Sequence, residues 1–329
     1  MKKTIYLLLL TSILAFANEK PTLNVYTYDA FAASWGPAPK VKKAFEKTCN
    51  CNINFVGVSS SIATLRKIQL EGKKTKADVL LGLDTAIAEV AKDTKLFSVH
   101  GLDTSIIDLP NSYKDDTFVP FDYSYFSFVY DEEKTKNAPK SFEELASMPD
   151  DFKIVIQDPR SSTPGLGLLL WVKSVYGDKA SDYWKRLAPH ILTITKGWSE
   201  AYGLFLKGEA DMALSYTTSP AYHMVEENKF NIKSADFKEG HYAQVEVAAI
   251  VESSKQKELG KKFLKFLYSK EFAELIPTSN WAYPVIKGVK LHDAFDKLHK
   301  PQEFILMNGE IVQEQRKAII DEWLKAVQK

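Results

Sequence analysis

The stretch ADVLLGLD, residues 77–84, decides the fold. Its centre is an unbroken apolar run closed by an acid. A strand with one wet face alternates, whereas a strand covered on both faces reads as continuous apolar sequence. Residues 77–84 are therefore read as a strand inside a parallel sheet. Working outward, strand and helix patterns alternate. TLNVYTYDAF (22–31) and NINFVGV (52–58) are rich in β-branched and aromatic residues, as strands are. PAPKVKKAFEK (37–47) places Val41, Ala44 and Phe45 on one helical face. SSSIATLRKIQLEG (59–72) opens with serines able to cap a helix and ends at Gly72. TAIAEVAKDTKLF (85–97) supplies the next helix. This rhythm implies a doubly wound α/β layer.

A second series follows. FDYSYFSFVYD (121–131), FKIVIQDPR (152–160), ILTITKGW (191–198), DMALSYTT (211–218) and YAQVEVAAIV (242–251) read as strands. GLGLLLWVKSVYG (165–177) reads as a helix, and KELGKKFLKFLYSKEFAELI (257–276) as one amphipathic helix. A chain of 329 residues exceeds the ~250–300 that one core organises, so two lobes are expected. Their predicted extents are 18–124 with 248–285, and 125–247 with 286–329. The strands near 121–131 and 242–251 are expected to cross between lobes as hinges.

The N-terminus, MKKTIYLLLLTSILAFANEK, has two lysines, a short apolar run and Ala15-Phe16-Ala17. It reads as a secretory signal peptide, residues 1–17, leaving an exported protein. Lys plus Arg number 43 against 42 Asp plus Glu, which argues against nucleic acid as a partner. The two cysteines, Cys49 and Cys51, stand in TCNCN. Export permits a disulfide, and the pair is read as oxidised and structural. No further Cys or His lies near enough to complete a metal site.

Ligands of open α/β sheets sit beyond the carboxyl ends of strands. Those ends carry Asp29 with Trp35 beyond it, Ser60 and Ser61, Asp84, Ser161 to Thr163, Trp198, and the run Tyr216, Thr217, Thr218 and Ser219. Ser161, Ser162 and Thr163 precede a helix begun by Pro164. They are either an ordinary cap or a phosphate or carboxylate site built on free helix N–H groups. Trp198, Tyr216, Tyr222, Trp35 and Trp281 fall near loops, where aromatics either close a core or stack on a flat or cationic ligand. The chain holds no G-x-S-x-G elbow and no H-E-x-x-H. Its six histidines lack metal-ligand spacing, and His223 with Glu226 is a weak pair at best. Adjacent tyrosines for ferric ion are missing. The pattern favours binding over bond-making.

LNVYTYDAFAASWGP, KADVLLGLD, DTFVPFDYSYFSFVYD, QDPRSSTPGLGLLLW, TKGWSEAYGLFLKGEAD, LSYTTSPAYH, EGHYAQVEVAA and IPTSNWAYPV together closely resemble the periplasmic thiamine-binding proteins of bacterial ABC importers, within the solute-binding protein family. The resemblance implies a two-lobed α/β periplasmic binding fold of type II, each lobe a doubly wound sheet, with the ligand in the interlobe cleft. It implies thiamine, thiamine monophosphate and thiamine diphosphate as cargo, no cofactor, no metal and no catalysis. It also implies a membrane permease and an ATPase as partners. It assigns Ser162 and Thr163 to the phosphate end, Trp198 to the ring, and Tyr216, Thr217, Thr218 and Ser219 to ligand contact. Ser60 and Ser61 stand where the family pattern often has an acid and a glycine. Asp29 or Asp84 is expected to compensate for the lost charge. A thiamine-degrading or phosphate-cleaving enzyme on the same scaffold, or a carrier of another organic cation, is the alternative.

Overall fold

In the computed structural model, which describes residues 19–110, 113–301 and 303–327, Val79–Asp84 is a strand with every residue buried. The expected signal segment, 1–17, lies outside the described residues.

In chain order the first half comprises β1 (Thr22–Tyr28), α1 (Asp29–Ala32), α2 (Ala38–Cys49), β2 (Asn52–Val58), α3 (Ser61–Glu71), β3 (Val79–Asp84), α4 (Ala88–Asp93), β4 (Phe97–Ser98) and β5 (Val119–Asp131). Next come α5 (Phe142–Leu145), β6 (Ile154–Gln157), α6 (Thr163–Tyr176), α7 (Ala180–Leu187), β7 (Ile191–Thr195), α8 (Trp198–Leu206), β8 (Met212–Tyr216), α9 (Ser219–Glu226), β9 (Ile232–Ser234) and β10 (His241–Val251). The chain closes with α10 (Lys257–Phe266), α11 (Lys270–Leu275), β11 (Tyr283–Pro284), β12 (Phe304–Ile305) and α12 (Gly309–Val327).

The main strand order is β2-β1-β3-β10-β5-β8-β6-β7. β1 pairs in parallel with β2 and β3, but β10 enters antiparallel between β3 and β5. The buried apolar run 79–84 is thus covered on both faces, as its sequence predicts, in a sheet that is mixed. β5 pairs with β10 through Val119–Tyr125 and then with β8 through Phe126–Tyr130. Both of its ends are built into different sheet halves. β10 pairs with β3 and β4 at one end and with β12 at the other.

Two large apolar clusters lie against these strands. One packs α2, α10 and α11 on the sheet through Phe45, Phe263 and Phe272. The other runs from Leu80 and Leu83 to Trp171, Tyr183 and Trp323, so that it touches elements from the whole chain. Phe142 and Trp171 meet edge-on at 4.6 Å in its centre. Each such fully buried side chain contributes roughly 1.5–3 kcal/mol through water-free apolar surface.

Local chemistry explains the departures from the sequence reading. β1 stops at Tyr28 rather than Phe31, because Asp29 Oδ1 accepts the Ala30 N–H (2.7 Å) and turns the chain into α1. The helix expected over 85–97 is a 3₁₀ turn, Thr85–Ile87, followed by the short α4 and by β4. Residues 257–276 form two helices. Ser269 is extended, and its hydroxyl caps α11 at the Phe272 N–H (3.2 Å). Cys49 and Cys51 are disulfide-bonded, with Cα atoms 5.1 Å apart. No described helix is long and apolar enough to cross a membrane.

Candidate functional site

The carboxyl ends of β1, β2, β6 and β8 face a cleft of about 350 Å³, with β5 and β10 forming its floor. Five helices begin on its rim: α1, α3, α6, α8 and α9. Their free N–H groups make the rim electropositive without any basic side chain. No Lys, Arg or His is among the residues lining the cleft.

Ser60 caps α3, accepting the Ala63 N–H at 3.1 Å, and its hydroxyl also donates across the cleft to the Ser161 carbonyl. Ser61, Ser162 and Thr163 line the wall beside it. Ser162 Oγ is buried and has no hydrogen-bond partner among the described residues. A Cβ on Gly165 would stand 2.3 Å from the Gln157 carbonyl, so only glycine lets α6 start this close to β6. Ser161 stays outside the lining, its hydroxyl held by the Lys196 carbonyl at 2.9 Å.

Trp198 opens α8 and stacks on Tyr202 at 4.7 Å. Its indole N–H donates to Ser215 Oγ (2.8 Å), which lies 2.7 Å from Ser219 Oγ. Tyr202 is in turn bonded to His223 (2.8 Å), whose other ring nitrogen faces Glu227 at 2.9 Å. The acid partner of His223 is therefore Glu227, one residue beyond the expected Glu226. This histidine is fully buried and braces the aromatic wall. Tyr216 stacks on Phe126 at 5.4 Å and donates its hydroxyl to Gln244 Oε1 at 2.7 Å. Thr218 Oγ1 pairs with Ser124 Oγ at 2.9 Å. Thr217 turns away from the cleft, with its N–H on the Tyr125 carbonyl (2.9 Å).

Asp29, Trp35, Tyr222 and Trp281 also line the cleft. Trp35 is 62 % exposed at the mouth. Tyr222 and Trp281 meet edge-on at 5.5 Å. Asp84 does not line it; its Oδ1 caps the turn at Ala86 N–H (2.6 Å).

The sequence reading missed the floor. Asp122 of β5 and Glu246 of β10 are both buried and line the cleft. Asn280 Nδ2 donates to Asp122 Oδ2 (2.6 Å) and to Glu246 Oε2 (3.1 Å). Gln244 Nε2 donates to Glu246 Oε1 at 3.3 Å. The ladders on both sides of β10 shift register between Glu246 and Ala248. Such bulges re-aim side chains beside functional sites. Burial pushes Asp122 up to about 7. Burial and then the neighbouring Asp122 push Glu246 well above the carboxylate range. Asp84, opposite Glu246 in the β3–β10 ladder, is raised to about 7 by burial. A signal was available: Asp122, Gln244 and Glu246 are acid and amide positions inside largely apolar or aromatic strands.

The site therefore offers an aromatic trough, an acidic floor without a protein cation, and a rim of hydroxyls and helix N–H groups. It suits a flat, positively charged molecule with an oxygen-bearing end.

The profile of the bacterial extracellular solute-binding protein family matches residues 32–274. The thiamine-binding periplasmic protein of Salmonella typhimurium is 54 % identical, with 99 % of each chain covered. A solved periplasmic thiamin binding protein superimposes with a TM-score of 0.92 at 53 % identity, covering 94 % of this chain and 97 % of that one. The periplasmic binding protein AfuA from Actinobacillus pleuropneumoniae, solved with exogenous fructose-6-phosphate, shares the fold at 20 % identity, with a TM-score of 0.80 over 94 % of this chain and 99 % of that one. With a mixed α/β sheet, a cleft between the strand ends and relatives matching end to end, the chain belongs to the bacterial extracellular solute-binding proteins and has their type II periplasmic binding fold.

Proposed function

We propose that this chain captures thiamine, thiamine monophosphate and thiamine diphosphate in the periplasm and delivers them to the permease of an ATP-driven importer. The carrying observation is the buried Asp122–Glu246 pair in a cleft lined by no basic side chain. A buried acid pair without a cationic partner is costly to ionise, and a cationic ligand supplies the missing charge. Thiamine brings a thiazolium cation, a flat aminopyrimidine and an alcohol or phosphate tail. The relatives' names support the same ligand.

In this reading the thiazolium faces Asp122 and Glu246, which take the role expected of Asp29 or Asp84. Trp198 and Tyr216 flank a ring, with Trp35, Tyr222 and Trp281 closing the mouth. The tail meets Ser60, Ser61, Ser162 and Thr163, where the orphaned Ser162 hydroxyl awaits an oxygen. Thr218 and Ser219 hold the pyrimidine edge. Binding is without turnover.

The lobes are proposed as 18–124 with 248–285 and 125–247 with 286–329, hinged at β5 and β10. α12 complicates the second assignment, since it packs on α7 of one lobe and α4 of the other. Closure is favoured by whatever ligand binds both lobes better together than apart. Residues 1–17 are proposed to be removed on export.

Calorimetric titration of the mature chain with the three vitamers tests this, with product analysis of the same mixtures. Saturable one-to-one binding with ligand recovered intact is expected. Absence of binding by all three, or their consumption, overturns it.

A further inference from the structure

We propose that Asp236, His241 and His299 form a second site, for a divalent transition-metal ion of the zinc class. None of the three lines the cleft. They come from separate segments: the loop before β10, the first residue of β10, and the stretch ahead of β12. Their ligand atoms all lie within 4.8 Å of one another. His299 Nε2 stands 3.0 Å from Asp236 Oδ1, and His241 Nε2 stands 3.8 Å from the same oxygen. Ligand atoms ~2.0–2.2 Å from a tetrahedral zinc ion are about 3.4 Å apart. The two observed spacings bracket that value, so small side-chain adjustments suffice.

The hydrogen bonds of His241 add an independent reason. Its Nδ1 lies 2.7 Å from the Phe126 carbonyl, an acceptor only, so that nitrogen carries the proton. Its Nε2 accepts the Phe237 N–H at 3.2 Å. That is a neutral imidazole whose unprotonated Nε2 lies 3.8 Å from Asp236 Oδ1. Metal-bound histidines almost always donate their second ring nitrogen to a carbonyl or carboxylate in this way. Coordination would replace the long bond from Phe237 and the direct His299–Asp236 contact. The ring of His241 is 1 % exposed and rests on Trp171 at 5.2 Å, which gives the site a dry, rigid back wall. Asp236 and His299 are 62 % and 28 % exposed, leaving a fourth position open to water. Among the described residues no Lys or Arg pairs with Asp236. One imidazole pair with one carboxylate suits zinc rather than the all-oxygen preference of magnesium or calcium.

The test uses the untagged mature chain, stripped with chelator and titrated with Zn²⁺ by calorimetry, with Mg²⁺ as the control. One zinc per chain is expected, with no magnesium binding. Asp236→Asn and His299→Ala should each weaken zinc binding at least about tenfold. Co²⁺ added to the unaltered chain should give visible absorption bands that Zn²⁺ abolishes, a readout independent of either variant's folding. Failure of zinc to saturate, a smaller loss in either folded variant, or a cobalt spectrum identical to the aqueous ion would overturn the site.

Discussion

Tyr28 and Glu246, 218 positions apart, are joined by a hydrogen bond of 2.9 Å from the tyrosine hydroxyl to Glu246 Oε2. The bond ties the end of β1 to the centre of β10 and fixes one oxygen of the acid pair. Asn280 fixes the pair from the other side, and its own Oδ1 accepts the Tyr28 hydroxyl at 3.1 Å. The floor of the cleft is thus a braced acid pair rather than a loose one.

Glu246→Gln should keep the shape of this network and remove its ability to ionise against a bound cation. Truncating one side of a buried charge pair costs about 2–5 kcal/mol, so thiamine affinity should fall by at least ~30-fold. Calorimetry measures it. The neutral analogue lacking the thiazolium charge should lose little.

The acid pair should also make binding pH-dependent. Burial raises Asp122 from 3.8 to about 7, so the folded, empty protein holds a proton that the unfolded chain releases. Stability from that proton is fully present below 3.8 and is lost as pH rises to about 7. A cation favours the ionised form, so affinity should weaken as pH falls below about 7. Melting curves against pH test the first part. Calorimetry in buffers of different ionisation heat should show proton release on binding; none would contradict it.

Trp198→Ala should weaken all three vitamers alike. Stacking and cation–π contact together contribute roughly 1–2 kcal/mol, or about tenfold. Tryptophan fluorescence should respond less to ligand in this variant. Full-strength binding would remove Trp198 from the site.

Ser162→Ala separates tail from ring. A hydrogen bond to a charged oxygen contributes about 1.5–3 kcal/mol. Monophosphate affinity should drop tenfold or more, with thiamine affected far less. Competition titrations of the two ligands give the ratio directly.

Gly82→Ala should destabilise the fold and blunt binding together. Gly82 has φ +87°, and a Cβ there would stand 2.4 Å from the Tyr28 ring. The conformation alone costs about 1–3 kcal/mol. A urea melt should show a lower midpoint with little change in slope.

Much of this was legible in the sequence, because periodicity reports burial. The run 77–84 announced a doubly covered strand, and NINFVGV matched β2 residue for residue. Serines at strand ends marked the rim because caps and ligand hydroxyls use the same residue types. The antiparallel entry of β10 was not legible, since a strand buried on both faces reads alike in either direction. Asp122 and Glu246 were passed over because a lone acid in an apolar strand gains meaning only from its neighbour. Their meeting depends on pairing between segments some 120 residues apart (Glu246 lies opposite Asp122 in the ladder). The break at Ser269 rests on one hydroxyl turning inward, which helical periodicity does not register.

β5 and β10 run side by side from one sheet half into the other. A single tether would let the halves swivel freely, and the empty protein would wander through many mutual orientations. If β5 and β10 hinge the halves as proposed, being hydrogen-bonded to one another leaves them mainly one cheap motion, a flexing like that of a book spine. On that hinge each encounter with a passing molecule would explore a short, one-dimensional path, and little orientational entropy would be left to be lost when the covers meet.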